Sequence, residues 1–462
     1  MTVTASAAAQ QESDESSSVD ALAVIGYPPD GAALFSDYYD LSDGSEDIIV
    51  PDGLRDGSIQ EEVGNPMENV TGTAPTADGP AQDAFATEYK NTYDDDPGIF
   101  TPQSYDAAAV GILANVAAGE NSGMGVRDQM RNVANPDGLE VTVGNFIEGV
   151  ETVANGDSVN YQGASSDINF DKAGDPANAA YEIWEFDGEG GTTADETLRF
   201  EGDSPDGAGS SADSIPGGTD RTVEFGVLLP ETGFLGGIGQ EMIKAAELPV
   251  QQVNDSDLTI TVNTQVEDTN SDQDTGIQGA KSLVDANVPF VCGAALSGVN
   301  IPVCKEVLIP NEVVGCSPSS TALLVTNLTD DDYIFRTAPS DFLQSGAMAK
   351  VAAERLGADS AATLYVDNDY GRGVSERFST IFEEEYGGTI SVEVAYNQNE
   401  DSYTTAIREA LGLPMVADYA NEDNVVDTVG LREGIDDWRA GDIETDLLRE
   451  VIDYWRSGEP VG

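Results

Sequence analysis

Hydroxyl side chains follow two apolar runs of this chain, at the point where each predicted strand ends. Ser297 comes shortly after VPFVCG, and Ser319, Ser320 and Thr321 follow VGCSP. Hydroxyls at the start of a helix can bind a carboxylate together with backbone N–H groups. The same residue types also cap helices and form turns. The residues alone favour capping, so a ligand-binding role needs further support.

A carboxyl group occupies a similar position in another part of the chain. Asp52 stands in VPDG, directly after the apolar residues IIV. A carboxylate can form charge-assisted hydrogen bonds to an ammonium group. Because open α/β sheets bind ligands beyond the carboxyl ends of their strands, Asp52 and the hydroxyls would face one site. In a chain with 85 acidic residues, however, one aspartate is a weak signal.

Enzyme, metal and cofactor chemistry are not expected. The chain has no histidine, so the usual Ser-His-Asp and Cys-His arrangements are absent. Cys292, Cys304 and Cys316 form no CxxC pair, which disfavours a zinc site, and they are either buried thiols or include one disulfide. The glycine-rich run ETGFLGGIG lacks the GxGxxG form and a Walker lysine, so no phosphate site is predicted.

The composition is strongly acidic. The 462 residues include 20 Lys and Arg against 85 Asp and Glu, for a net charge of −65. Such a chain repels phosphates, which excludes nucleic acid as a partner. The apolar segments are nevertheless well patterned, so we expect a folded core rather than disorder. A carboxylate-rich surface on a folded core is typical of a halophilic protein, because salt screens the self-repulsion.

The chain divides by composition into folded and unfolded segments. Residues 1–18 are polar and small, with no signal-peptide pattern and no cysteine for a lipid anchor, and predict a disordered N-terminus. Residues 187–220 are rich in Gly, Ser, Pro and acids, which predicts a flexible linker. Residues 411–462 predict a tail of two short amphipathic helices. No run of 18 apolar residues exists, so no membrane span is predicted.

The remaining segments alternate between strands and helices. ALAVIGY, TVEFGVLLP, VPFVCGAA and AATLYVDNDYG predict strands, whereas YDAAAVGILANVAAG and FLQSGAMAKVAAERLG predict helices. Such alternation predicts an α/β fold with parallel sheets that helices cover on both faces.

These segments together resemble a known family of receptors. Its markers here are GVLLPETGFLGGIG, VDNDYGRG, VIGYPP, VPDG and YQGASSDINFDKAGDPANAAYEIWEF. They resemble the leucine/isoleucine/valine-binding receptors of ABC transporters, which have the type I periplasmic-binding-protein fold of two Rossmann-like lobes. In family order residues 221–410 would form the first half and residues 19–186 the second. The halves therefore stand in circularly permuted order.

The resemblance also divides the two halves between the lobes. Lobe I would contain residues 221–337 and 73–135, and lobe II residues 338–410, 19–72 and 136–186. The linker, with a typical reach of about 30–35 Å, would join the old end to the old start. A fusion of neighbouring receptor fragments or a rearranged and partly decayed gene would explain the same order.

The resemblance further implies a ligand site of nine side chains. These are Tyr27, Asp52, Phe234, Leu235, Ser297, Ser319, Ser320, Thr321 and Tyr370. The four serine and threonine hydroxyls would bind the carboxylate of an amino acid, and Asp52 its ammonium group. Tyr27 and Tyr370 would line the cleft from lobe II. Phe234 and Leu235 would contact the side chain of the ligand.

The expected function is that of an extracellular or cell-surface receptor of an ABC importer. Two lobes would close over a branched-chain or other small amino acid or amide, and the closed form would dock on a membrane permease. An alternative is a cell-surface scaffold protein whose tail binds a protein partner, since residues 411–462 resemble a degenerate dockerin module. Tyr419 and Gly430 stand at expected calcium-ligand positions of that module, so no calcium is expected there. A non-functional rearranged receptor is the third interpretation.

Overall fold

The structure is a computed structural model that describes most of the chain in two sheet-containing lobes and a tail. It describes residues 19–42, 44–135, 137–201, 209–421, 423–440, 443 and 445–461. The predicted disordered segment 1–18 and residues 202–208 of the predicted linker lie outside the described residues.

The described residues contain fourteen strands, which form three sheets. The strands are β1 (Ala21–Ile25), β2 (Asp47–Val50), β3 (Val70–Pro75), β4 (Leu139–Val141), β5 (Val159–Tyr161), β6 (Asn178–Phe186), β7 (Thr192–Glu201), β8 (Thr222–Leu229), β9 (Thr261–Asp268), β10 (Phe290–Gly293), β11 (Val314–Ser317), β12 (Ile334–Arg336), β13 (Ser360–Val366) and β14 (Thr389–Tyr396).

Fifteen α-helices lie in the same described ranges. They are α1 (Pro28–Leu41), α2 (Gly57–Val63), α3 (Gln82–Tyr93), α4 (Thr101–Ala118), α5 (Gly123–Ala134), α6 (Phe146–Ala154), α7 (Gly236–Asn254), α8 (Gln273–Asp285), α9 (Ser297–Val303), α10 (Leu323–Thr326), α11 (Asp341–Lys350), α12 (Asp369–Glu384), α13 (Thr404–Leu411), α14 (Thr428–Ala440) and α15 (Thr445–Ser457). Short 3₁₀ helices lie at Asp52–Leu54, Val143–Asn145, Ile309–Asn311 and Val416–Tyr419, and π-helical turns at Cys304–Leu308 and Val351–Leu356.

Lobe II is built on a seven-stranded sheet in the order β14-β13-β1-β2-β3-β6-β7. The first five strands are parallel, β6 pairs antiparallel with β3, and β7 pairs antiparallel with β6, so β7 runs in the same direction as the first five strands. At the centre β1 pairs with β13, so that Ala21 lies beside Ala361 and Ile25 beside Tyr365. All five residues of β1 are buried, as expected for a central parallel strand that is covered on both faces.

Lobe I is built on a five-stranded parallel sheet in the order β12-β11-β10-β8-β9. Helix α4 is buried along its whole length in the core of this lobe. Its small residues permit close packing, since a Cβ at Gly111 would lie 2.3 Å from the Phe290 ring. The predicted α/β fold with parallel-sheet lobes is confirmed.

The predicted assignment of residues 136–186 to lobe II is wrong for its first part. Strands β4 and β5 pair only with each other in a two-stranded sheet. Val141 and Tyr161 are buried in the core of lobe I, together with the apolar face of α6. This amphipathic helix requires an apolar surface to cover it, and lobe I supplies that surface. Only β6 enters the sheet of lobe II.

The predicted flexible linker is wrong for residues 192–201. These residues form β7, which pairs antiparallel with β6 along its whole length. The glycines at 188 and 190 adopt positive φ in the turn between the two strands, so the Gly-rich composition belongs to a hairpin. Beyond residue 208 the chain lies against lobe I, where Gly217 N–H donates to the Ala117 carbonyl and Gly218 N–H to Ala154.

The tail forms a small helical body of its own. Val416, Tyr419, Leu447 and Val451 are among the residues of its apolar cluster, which lies between α14 and α15. Within the described residues no group of three or more Cys, Asp and Glu side chains could hold a metal ion. Across the same ranges, no helix combines the length and apolar character that crossing a membrane requires.

A substitution in β7 tests whether this segment is structured. Phe200 packs edge-on against Tyr181, with ring centroids 5.8 Å apart, and is partly buried against the lobe II core. Phe200→Ala should therefore lower the free energy of unfolding by roughly 1–2 kcal/mol, less than for a fully buried ring. Urea unfolding in molar KCl measures this change. The exposed Thr197→Ala in the same strand is the control and should change it by less than about 0.5 kcal/mol. Equal changes in the free energy of unfolding for both variants would contradict the assignment of this segment to a strand.

Candidate functional site

A cavity lies between the two lobes, beyond the carboxyl ends of their strands. It holds about 610 Å³ of atom-free space, part of which is continuous with solvent. The structure brings seven of the nine predicted side chains to its wall, namely Tyr27, Asp52, Leu235, Ser297, Ser319, Thr321 and Tyr370. Phe234 and Ser320 lie beside these residues but do not line the cavity.

The hydroxyl side of the cavity is organised by hydrogen bonds between the ends of β10 and β11. The Ser297 oxygen accepts from the Ser320 hydroxyl at 3.1 Å and from the Ala322 N–H at 3.2 Å. Both acceptor positions of Ser297 are therefore used, which leaves its own proton for a ligand. Ser320 is fully buried because its hydroxyl points to Ser297 rather than to the cavity. Ser319 donates to the Ala295 carbonyl at 3.2 Å.

Asp52 provides the acidic wall from lobe II. It begins the 3₁₀ helix that follows β2, and its Oδ1 accepts from Gln344 Nε2 at 2.7 Å. Burial raises the pKa of the Asp52 carboxyl to about 6, although the Gln344 hydrogen bond opposes the shift. Gly53 is required after it, since a Cβ there would lie 2.3 Å from the Gly26 carbonyl oxygen.

A second buried carboxyl, Asp341, lies close to Asp52 and was not predicted. It stands at the start of α11 and is 1% exposed. Burial and the neighbouring charge of Asp52 raise the pKa of Asp341 to about 8. Among the described residues no group makes a well-formed hydrogen bond to its carboxyl oxygens, although the Thr321 hydroxyl is close. Two acidic groups thus share one poorly solvated region, where the charge of Arg55 opposes the rise in the pKa of Asp52 and that of Arg336 opposes the rise in the pKa of Asp341.

The sequence contained little that would identify Asp341 or Gln344. Ser340 caps α11 by accepting from the Phe342 N–H, so SDFLQ has the pattern of an ordinary helix start with an acid in the first turn. The one available signal is the three-residue spacing of Asp341 and Gln344, which places both on the same face of the helix.

Aromatic rings close the cavity from both lobes. Tyr27 stacks on Tyr370 with centroids 5.4 Å apart, and its other neighbour is Phe234 at 5.7 Å. Tyr27 and Tyr370 belong to lobe II, whereas Phe234 belongs to the loop after β8 in lobe I. Phe234 is 40% exposed and covers Tyr27 from outside, which explains why it does not line the cavity. The two lobes are therefore in contact across the cleft in this conformation.

Arg55, whose guanidinium pairs with Glu182, also lines the cavity. Most of the remaining wall is apolar. It is formed by Ile99, Phe100, Leu235, Ile238 and Leu296. Ile99 and Phe100 precede α4 and were not predicted as site residues, because the pattern IFTPQS indicates only the start of a helix. The cavity consequently presents hydroxyls on one wall, carboxyls on the other and an apolar surface between them.

Comparison with known proteins finds sequence similarity over part of this chain. Residues 222–412 match the family model described as periplasmic binding protein. The chain is 27% identical over 158 residues to a Leu/Ile/Val-binding protein homolog 3 of Brucella melitensis, covering 34% of this chain and 42% of that protein. It is 25% identical over 205 residues to the chemotactic signal transduction system substrate-binding protein BasB of Halobacterium salinarum, covering 41% of this chain and 48% of that protein.

Solved structures of similar proteins overlap this chain in part. The branched-chain amino acid transporter substrate-binding protein LivJ of Streptococcus pneumoniae, in complex with isoleucine, shares 24% identity and a TM-score of 0.36. The match covers 42% of this chain and 55% of that one. The chain spans less than half the length of each curated relative above. The segment from residue 222 to residue 412 is thus related in sequence to the periplasmic binding proteins.

Proposed function

We propose that this protein is a solute-binding receptor that closes two lobes over a small zwitterionic amino acid with an apolar side chain. The observation that carries the proposal is the inter-lobe cavity, whose opposite walls bear hydroxyl and carboxyl groups. The receptor performs no chemical reaction. Its output is the closed conformation, which a ligand stabilises by binding it more tightly than the open one.

The hydroxyl wall suits the carboxylate of the ligand. Ser297 retains a proton to donate, and Thr321 lines the same wall while being almost fully buried. Because these hydroxyls are held by hydrogen bonds between β10 and β11, they need little reorganisation on binding.

The carboxyl wall suits the ammonium group. Asp52 faces the cavity, and Asp341 adds a second acidic group behind it. Burying an unpaired carboxylate is costly, and an ammonium ligand would relieve that cost by supplying charge and hydrogen bonds. An ammonium group would therefore add to the partial compensation that Arg55 and Arg336 provide.

The apolar surface between the walls suits an aliphatic side chain. Ile99, Phe100 and Ile238 offer contacts without a polar partner. This agrees with the naming of the Brucella relative as a Leu/Ile/Val-binding homolog. We therefore place branched-chain amino acids first among the ligands, with an ABC-importer permease as the partner and the cell exterior as the location.

We also propose that the two halves are circularly permuted within one chain. Two observations support it: the family match begins at residue 222, and β1 pairs with β13 inside one sheet. In this arrangement residues 19–186 supply Tyr27 and Asp52, and residues 222–412 supply the hydroxyls and Tyr370. Neither half has a complete site alone.

The first prediction concerns the acid that faces the cavity. Asp52→Asn should weaken leucine binding by about 2–5 kcal/mol, because the ligand ammonium loses its charged partner in a desolvated site. Isothermal titration calorimetry in multimolar KCl measures the change, and circular dichroism shows whether the fold persists. The exposed Asp83→Asn on α3 removes the same charge outside the cavity and should leave affinity unchanged. Equal affinities of both variants would refute the ammonium assignment.

The second prediction concerns pH. The carboxyls of Asp52 and Asp341 have pKa values raised to about 6 and about 8, so below this range an ammonium ligand must displace protons in order to bind. Affinity for leucine should therefore rise with pH from 6 to 8. The free energy of unfolding of the unliganded protein should fall over the same range, because the unfolded carboxyls, with pKa about 3.9, have already lost their protons.

Calorimetry and urea unfolding at several pH values test both trends. In Asp341→Asn the dependence around pH 8 should disappear, whereas that around pH 6, which belongs to Asp52, should remain. An affinity that is flat between pH 5.5 and 8.5 in the unsubstituted protein would show that these carboxyls do not face the ligand.

A further inference from the structure

One fully buried arginine joins the hydroxyl wall of the cavity to the connections between the lobes. Arg336 ends β12 and has no exposed surface. Its Nη1 donates to the carbonyls of Ser320 at 3.1 Å, Thr321 at 2.8 Å and Ala322 at 3.1 Å. These three carbonyls belong to the segment that presents the Ser319 and Thr321 side chains to the cavity.

The other nitrogens of the same guanidinium bind a different part of the chain. Nε and Nη2 donate to the two carboxylate oxygens of Asp175 at 2.5 and 2.7 Å, and Nη2 also donates to Thr326. Asp175 lies between β5, whose residues are in the lobe I core, and β6, which belongs to the lobe II sheet. It is therefore part of a segment that crosses between the lobes.

A second crossing begins at Arg336 itself. Residues 337–340 connect β12 of lobe I with α11 of lobe II. The two crossings are tied by the Arg336 N–H, which donates to the Gly174 carbonyl at 3.0 Å, and by the Tyr181 hydroxyl, which donates to the Ser340 carbonyl at 3.0 Å. One side chain thus fixes the ligand-facing segment against both crossings.

A purely stabilising role explains this arrangement poorly. A buried Arg–Asp pair often contributes no more to stability than apolar residues of the same volume. What a guanidinium adds is geometry, because its planar set of five N–H donors holds several acceptors in fixed directions. Here that set is shared between the hydroxyl wall and an inter-lobe segment.

We propose that Arg336 is a positioning residue that couples the ligand-binding segment 319–322 to lobe closure. This inference rests on the proposed receptor function. A ligand that is bound by Ser319 and Thr321 fixes the carbonyls of the same segment, and through Arg336 it fixes Asp175 and the crossings. Occupancy of the hydroxyl wall and the angle between the lobes then change together.

The matched variants are Arg336→Lys and Arg131→Lys. Arg131 is also buried, pairs with Asp332 at 3.2 Å and donates to the Asp171 carbonyl at 2.9 Å, so it contacts the same crossing. None of its hydrogen bonds in the described part of the chain reaches segment 319–322. Lysine keeps the charge at both positions but cannot reproduce the planar set of donors.

Two measurements are made on each full-length protein in multimolar KCl. Calorimetry gives the dissociation constant for leucine. Fluorophores on Asp274→Cys in α8 and Glu376→Cys in α12, which are both exposed and lie in different lobes, report the change in inter-lobe distance on saturation with leucine. The three native cysteines are buried and should not react.

Arg336→Lys should weaken leucine binding at least about tenfold and reduce the distance change at saturation, whereas Arg131→Lys should alter neither. If Arg336→Lys does not fold, Thr326→Val removes one contact of the guanidinium, together with the hydrogen bonds of Thr326 to Asp175 and Ser340, and should shift both readouts in the same direction by a smaller amount. A normal inter-lobe distance change in the folded Arg336 variant, or in Thr326→Val where that variant is needed, would overturn the coupling. Equal losses of affinity and of distance change in Arg131→Lys would also overturn it. An unsubstituted protein that binds none of the amino acids tested would instead refute the receptor function itself.

Discussion

The parallel pairing of β1 with β13 is the interaction on which the site depends. It joins residues about 340 positions apart, and it places Tyr27, at the end of β1, beside Tyr370, just after β13. Asp52 follows β2, which pairs with β1, so the acidic wall depends on the same register. Closing such a long loop adds little entropy cost compared with a loop of half the length, but non-local parallel pairing is slow to form. Folding and binding are therefore linked through one strand pair.

The carboxyl groups at the cavity are poorly solvated, unlike most acidic groups of this chain. In a chain of net charge −65, the buried Asp341 and the partly exposed Asp52 lie within interaction distance of each other, while most acids remain at the surface. Each raises the free energy of the other's charged form. Arg55 and Arg336 oppose this effect in part, and in the proposed function an ammonium group would oppose it further. The hydroxyl wall has no comparable strain, since its oxygens are already hydrogen-bonded.

The sequence predicted the site residues that lie at strand ends, but it did not predict the features that arise from side-chain packing. Apolar runs located β1 and β13 of one sheet and β8 and β10 of the other, and seven of nine proposed side chains meet at one cavity because parallel strands end on the same edge. The Ser320 hydroxyl points away from the cavity because it donates a hydrogen bond to Ser297, a contact that residue spacing does not show. Asp341 has the pattern of an ordinary acid in the first turn of a helix, and only its burial distinguishes it. The hairpin β6–β7 was hidden by composition, since the acids and threonines of an exposed edge strand resemble a linker.

The proposed permutation places its break where the fold does not depend on chain continuity. In family order α13 would lead directly into β1, and here hydrogen bonds join the residues before α13 to β1 and α1. The Tyr403 hydroxyl and the Asn399 N–H both donate to Asp30 of α1, and the Tyr396 hydroxyl donates to the Ile25 carbonyl at the end of β1. These contacts are made without a covalent connection between residues 411 and 19. At the other junction, β7 and the segment after residue 208 follow the surfaces of lobes II and I instead of crossing solvent freely. The hydrogen bonds of β7 and of the segment after residue 208 thus lower the conformational entropy of this connection. The composition of residues 187–220 did not predict these bonds.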